Sequence, residues 1–111
     1  MPRFTIKIKD RYFHWSTIVD APITDGMLVD EFRKWYIFEY GNSGYNPELF
    51  DKMIIMLERF PAVNGNGRAI AETLEEAIAG NCAGKDGEYL TADEIYEQYV
   101  DEQLKENKDG K

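Results

Sequence analysis

Few side chains in this chain are of types that do chemistry, and their spacing decides what they can do. His14, Ser16 and Asp20 are the residue types of a hydrolytic relay. Strand neighbours at i and i+2 point sideways together, so they cannot make the buried, oriented relay that such a triad needs. His14 therefore reads as a surface histidine on a hairpin face. One histidine and one cysteine, with no pair at helical or knuckle spacing, argue against a zinc site. The run Cys82-Ala83-Gly84-Lys85-Asp86-Gly87 has the rhythm of a turn but lacks the carboxylate spacing of a calcium loop. The best small-ligand candidate is Asn64-Gly65-Asn66-Gly67-Arg68. Gly65 and Gly67 would expose backbone N–H groups just before a helix start, where an anion is favoured, with Arg68 in reach and Lys7 of the basic N-terminal segment as a second cation. The motif matches neither a Walker loop nor a dinucleotide fingerprint, and a plain turn between helices explains it as well.

The elements that must position these residues follow from patterning. Phe4, Ile6 and Ile8 alternate with Thr5, Lys7 and Lys9, the pattern of a half-buried strand. Lys9-Asp10-Arg11 suits a tight turn, and Tyr12–Val19 a second strand with Phe13, Trp15, Thr17 and Val19 on one face and Tyr12, His14, Ser16 and Ile18 on the other. Such a hairpin is marginal alone and needs helices, a third strand or a second copy of the chain. Pro22 breaks the strand. Thr24 or Asp25 then caps a helix that runs to about Tyr40 and ends at Gly41. Composition would also allow a strand over Trp35–Phe38, but helical spacing fits better. Asn46-Pro47 starts a second helix that runs to Phe60, with Pro61 marking its end. A third helix is predicted over Arg68–Ala79, with Ile70, Leu74, Ala77 and Ile78 inward. A fourth begins at Ala92 behind the capping box Thr91-Ala92-Asp93-Glu94, with Leu90 and Ile95 placed for a hydrophobic staple. The fold class expected is α+β: an N-terminal antiparallel β-hairpin packed by about four helices, one domain over residues 1–104, with a frayed tail over 105–111.

Charge is unevenly distributed. Residues 72–111 hold twelve acids against four bases, whereas residues 1–71 are balanced at nine each. An acidic protein cannot neutralise phosphates over a broad surface, so non-specific nucleic-acid binding is not expected. The small basic cluster of Arg3, Lys7, Lys9 and Arg11 leaves a phosphate-bearing ligand open; the plain alternative is the solvent face of a strand. A lone Cys82 fits a reducing compartment. The N-terminus lacks a signal-peptide pattern and no apolar run is long enough to span a membrane, so a cytoplasmic protein is expected.

Two surfaces are candidates for macromolecular contact. Leu28, Phe32, Trp35 and Tyr36 share one helical face, but Val29, Ile37, Phe38 and Tyr40 spread beyond it, more apolar surface than one core contact consumes. Trp35, Phe38, Tyr40 and Tyr45 are therefore candidate partner-binding aromatics. The acidic series Glu72, Glu75, Glu76, Asp93, Glu94, Glu97, Asp101, Glu102 and Glu106 is either a solvated helix surface or an imitation of a phosphate array, with Glu97 and Asp101 the contact candidates.

The segment Trp15-Ser16-Thr17-Ile18-Val19-Asp20-Ala21-Pro22-Ile23-Thr24, followed by Gly26-Met27, resembles the front of small bacteriophage-encoded proteins of no assigned activity. Asn81-Cys82-Ala83-Gly84-Lys85-Asp86, then Leu90-Thr91 and Glu94-Ile95, resembles their closing segment. The likeness covers the hairpin and the last third and matches the middle only loosely. It implies a phage origin and carries over no catalytic residues. In those relatives a basic residue more often stands where Cys82 does, which implies no functional role for the thiol.

Together these features point to a non-enzymatic binding protein that occupies a host macromolecule, a host defence component being one fitting target, through the aromatic patch and acidic helices. A homo-oligomer is compatible with the surplus apolar surface, and no cofactor or metal is expected. The competing reading is a nucleotide-type small-ligand binder or sequestering oligomer using Gly65, Gly67, Arg68 and Lys7.

Overall fold

The computed structural model of the chain describes residues 3–41 and 45–101. It is α+β. A five-stranded antiparallel sheet in the order β3-β2-β1-β4-β5 is built from β1 (Arg3–Ile8), β2 (Arg11–Ser16), β3 (Ala21–Pro22), β4 (Ala62–Asn64) and β5 (Ala69–Ala71). Helices α1 (Val29–Tyr40) and α2 (Pro47–Leu57) cover one face; α3 (Leu74–Ile78) and α4 (Ala92–Tyr96), the latter continued by a π-helical turn over Glu97–Asp101, cover the other. The predicted tail, residues 105–111, lies outside the described residues.

The N-terminal hairpin forms as the alternation requires. Ile8 pairs with Arg11 around a two-residue turn in which Lys9 adopts φ 57°, the left-handed twist that such tight turns need. Phe4, Ile6 and Ile8 point to the same side as Phe13 and Trp15, and pack against Ile78, Leu90, Ile95 and Val100. Thr5 stands opposite His14, and Lys7 opposite Tyr12, on the other side. That second face is not solvated: Tyr12, Phe32, Phe50, Met53, Leu57 and Val63 form a core of their own. The hairpin is thus enclosed between two helical layers, which supplies the support that two strands lack in isolation.

Several boundaries differ from the sequence pattern. Strand β2 stops at Ser16, the chain turns through Thr17–Asp20, and Pro22 lies opposite Trp15 in the edge strand β3, a position where the missing N–H costs nothing. Ile18 and Val19 are exposed in that turn. Helix α1 starts at Val29 rather than beside Thr24, because the Thr24 hydroxyl accepts the His14 backbone N–H at 3.1 Å and is committed to the sheet. Glu31 holds the start instead, accepting from the Leu28 N–H at 3.0 Å. Gly26, just before, passes so close to the core on the α3–α4 side that an added Cβ would lie 2.6 Å from Val100 and 2.8 Å from the Phe13 ring.

Asn46 and Pro47 open α2 as expected, the Asn46 side chain accepting from Glu48 and Leu49 N–H groups at 2.9 and 3.3 Å. The helix ends at Leu57, and Glu58–Phe60 form a turn into β4. The predicted helix over Arg68–Ala79 is corrected. Its first part is β5, paired with β4 across an irregular register between Ala62 and Val63, and only Leu74–Ile78 is helical. Thr73 and Glu76 make the capping box that begins that helix, and Ile70 is exposed rather than inward. Thr91 and Glu94 cap α4 in the same way, with Leu90 and Ile95 both buried.

Asn81 ties the α3–α4 layer together. Its buried amide donates to the carbonyls of Ile78 and Leu90, both at 2.8 Å, and accepts from the N–H groups of Ala83 and Leu90 at 3.1 and 3.0 Å. Every hydrogen-bonding position of that side chain is filled. The Asn81→Ala variant strands buried backbone groups and should lose about 2–4 kcal/mol in equilibrium denaturation, whereas the exposed Cys82→Ala beside it should leave stability within about 0.5 kcal/mol.

Candidate functional site

The inner face of α1 carries Phe32, Trp35, Tyr36 and Tyr40, spaced so that all four turn toward the sheet. Their rings surround His14, with centroids 6.5, 4.9, 6.0 and 5.8 Å from the imidazole respectively. His14 is therefore an interior histidine, only 3% exposed, and the expectation of a surface position is corrected. Burial, with the Arg3 charge adding to it, lowers its pKa from 6.5 to about 4, so the ring is neutral at physiological pH.

His14 ends a short polar chain. Its Nε2 lies 2.8 Å from the Tyr40 hydroxyl, which accepts from Arg3 Nη1 at 3.4 Å; the same Nη1 lies 3.7 Å from Glu39 Oε2. The Arg3 pKa is pushed above its ordinary value, first by the Tyr40 hydrogen bond, and Tyr36 is raised by burial and then by Tyr40, so that phenol stays protonated. The other imidazole nitrogen, Nδ1, has no partner among the described residues, and neither does Oγ1 of the fully buried Thr5 directly across the ladder. Two unsatisfied polar atoms on one cross-strand pair are unusual, since each costs on the order of 1–3 kcal/mol.

These residues line a cleft of about 580 Å³. Arg3, Thr5 and His14 come from the hairpin, Tyr36 and Tyr40 from α1, Leu49 from α2, and Asn64, Gly65 and Asn66 from the β4–β5 turn. Arg3 is the one charged side chain among its described lining. The volume is that of an ordinary small-molecule pocket.

No family model, curated protein or solved structure matches this chain. The likeness to phage-encoded proteins therefore rests on its two segments alone, and the site must be judged by its own chemistry.

The predicted site residues divide. Gly65 lines the cleft, but the loop is a hairpin turn followed by β5, so no helix start lies behind it and the predicted anion cradle is corrected. Three of its amides are already committed within the turn: Asn66 and Arg68 N–H donate to Asn64 Oδ1 at 2.9 and 3.1 Å, and Gly67 N–H to the Asn64 carbonyl at 3.0 Å. Gly67, at φ 79°, packs on Lys52, and Arg68 is exposed. Lys7 is not near them; its backbone pairs with Pro61 at the other end of β4, and its ammonium sits 5.4 Å from the Tyr12 ring centroid. Of the aromatic patch, Trp35, Tyr40 and Tyr45 are half-buried in ring contacts, while Phe38 is 84% exposed. Glu97 is exposed on the α3–α4 side, the opposite layer from Phe38, so the two do not form one patch; the Asp101 side chain lies outside the described residues. Sequence reasoning misses Thr5 and puts His14 at the surface; it takes Arg3 only with the basic cluster of the hairpin and Tyr36 only with the aromatic face of the helix. The one signal for them was the wide aromatic face at Phe32, Tyr36 and Tyr40, set against a strand face that carries polar residues.

His14 makes stability depend on pH. The unfolded chain takes up its proton near pH 6.5, the folded one only near pH 4, so the unfolded state binds more protons between them and stability falls as pH drops through that window. The loss should approach about 3 kcal/mol by pH 4. Denaturant titrations of the wild type and His14→Gln at pH 7 and pH 4.5 should show the variant losing clearly less.

Proposed function

We propose that this protein works by binding rather than by catalysis, and that it binds a small molecule in the cleft between the hairpin, α1 and the β4–β5 turn. The observation that carries this is a cleft of ligand size lined by Thr5 and His14, two buried polar residues that each keep an atom without a partner among the described residues. The rest of the lining divides between apolar and aromatic side chains, Phe4, Leu49, Tyr36 and Tyr40, and polar ones, Arg3, Asn64 and Asn66, a mixture that can orient a ligand by hydrogen bonds.

Gly65 offers a test that spares the fold. An added Cβ there would meet only the Tyr36 hydroxyl at 3.7 Å, an ordinary contact, so Gly65→Leu fills the cleft mouth without strain. In ligand-observed NMR against a metabolite library, hits on the wild type should weaken about tenfold or more in this variant at unchanged melting temperature. A library that yields no hit, or hits indifferent to the plug, removes the reading.

A second reading, contact with a macromolecule, draws on one observation. Phe38 stands 84% exposed on the outside of α1 beside the 43% exposed Ile37. A phage-encoded protein that occupies a host component would present such an anchor, as would one that self-associates. Replacing Phe38 by Ser should leave folding stability within about 0.5 kcal/mol while weakening self-association in sedimentation or capture of the host component; unchanged association would refute this surface.

A further inference from the structure

We infer that the cleft selects an organic oxyanion carried on a flat ring, with the anionic oxygens held by Arg3 and the Tyr40 hydroxyl and the ring lying against Tyr36. This rests on the binding reading above and narrows it to a ligand class.

Charge gives the first reason. Arg3 is the only charged group among the described lining, which includes no carboxylate, so a cation finds no counter-charge in it. Among the described residues the guanidinium has one acidic ion-pair partner, Glu39, at 3.7 Å, and both side chains are about a third exposed, at 35% and 38%. A pair so open to water contributes little and is readily displaced by a ligand that also hydrogen-bonds in the plane of the guanidinium.

Proton placement gives the second. Tyr40 Oη accepts from Arg3, and its own proton goes either to His14 Nε2 or into the cleft. Were Nε2 the acceptor, neutral His14 would carry its proton on Nδ1, an N–H buried with nothing to accept it. The opposite tautomer leaves Nδ1 a bare acceptor, the cheaper of the two defects. Nε2–H then donates to Tyr40, and the phenol proton is left for the ligand. Arg3 and Tyr40 so become two donors converging on one oxyanion, held from behind by a neutral imidazole.

Shape gives the third. Tyr36 and Tyr40, with ring centroids 4.6 Å apart, and Leu49 wall a space far larger than a bare inorganic anion fills. Aromatic walls favour a planar body. Carboxylate and phosphate monoester share the required chemistry, and the probes below separate them.

The test is calorimetric or NMR titration of the full chain with benzoate, phenyl phosphate and adenosine 5′-monophosphate, against neutral benzyl alcohol and adenosine and against inorganic phosphate. At least one ring anion should bind about tenfold or more tightly than its neutral counterpart and than inorganic phosphate. Arg3→Met should weaken that anion about tenfold and leave the neutral probe unmoved. Glu39→Gln, at an exposed position that does not threaten folding, should tighten the anion about two- to fivefold by removing the competing carboxylate. Tyr40→Phe should weaken it severalfold. Benzoate against phenyl phosphate decides the head group. Neutral probes that bind as tightly as the anions, or anion affinities unmoved by both Arg3→Met and Glu39→Gln, overturn the ligand class. Gly65→Leu tells the two failures apart: if it still abolishes binding of the neutral probe, the cleft remains the binding site and only the class is lost; if no probe or library compound responds to it, both fall.

Discussion

The structure depends on burying the N-terminal hairpin on both faces. Antiparallel sheets commonly leave one face to water, and the alternation of β1 and β2 is written for that arrangement, with Thr5, Lys7, His14 and Ser16 on the more polar side. Here α1 and α2 cover that side as well, and Thr5, His14 and Ser16 become as inaccessible as the apolar residues behind them. Rings supply most of the cover. They offer large contact area but few hydrogen bonds: Tyr40 reaches His14, and the Ser16 hydroxyl accepts from the backbone N–H of Ile18 instead. The unspent capacity of Thr5 and His14 follows from which helix lies over them.

The two cores of one small domain treat buried polarity in opposite ways. In the α3–α4 layer Asn81 is buried and makes four hydrogen bonds, the outcome expected when a polar group serves only the fold. In the α1–α2 layer a threonine and a histidine are buried to the same degree and leave one atom each without a partner. Marginal stability makes such defects costly to retain. Their coincidence with a cleft that holds an arginine and two tyrosines is what separates a site from a packing flaw.

Local signals in the sequence were legible and long-range ones were not. The β1–β2 hairpin, the Asn46-Pro47 start and the Thr91–Glu94 box each need only neighbours within a few residues, and each stands where the pattern places it. The β4–β5 hairpin was hidden because its strands are three residues long and half alanine, while Ile70, Leu74, Ala77 and Ile78 satisfy helical spacing on their own. The box at Thr73 and Glu76 marked the true helix start inside that run. Thr24 misled for a different reason: a capping residue type can serve any backbone N–H, and tertiary contact gave it the one on His14. The cleft was out of reach altogether. Alternation tells which side of a strand His14 is on, but only the crossing of α1 decides whether that side meets water.

The placement of charge bears on how such a cleft would work. The acidic excess of the second half is partly structural: Glu76 and Glu94 close capping boxes, and Asp93 lies 3.8 Å from Lys9. Among the described residues, the acids of α3 and α4 stand on the other side of the sheet from the cleft that Arg3 lines. At physiological ionic strength exposed charges are screened over roughly 8 Å, so the net −8 slows the approach of an anion more than it weakens a bound one. Selection must then act at contact, through donors aimed before the ligand arrives. Tyr40 meets that condition, since its oxygen is pinned between Arg3 and His14 and its ring is packed 4.6 Å from Tyr36. A hydroxyl so fixed loses little freedom on binding, which is how a small and acidic domain can hold an anion without a basic surface.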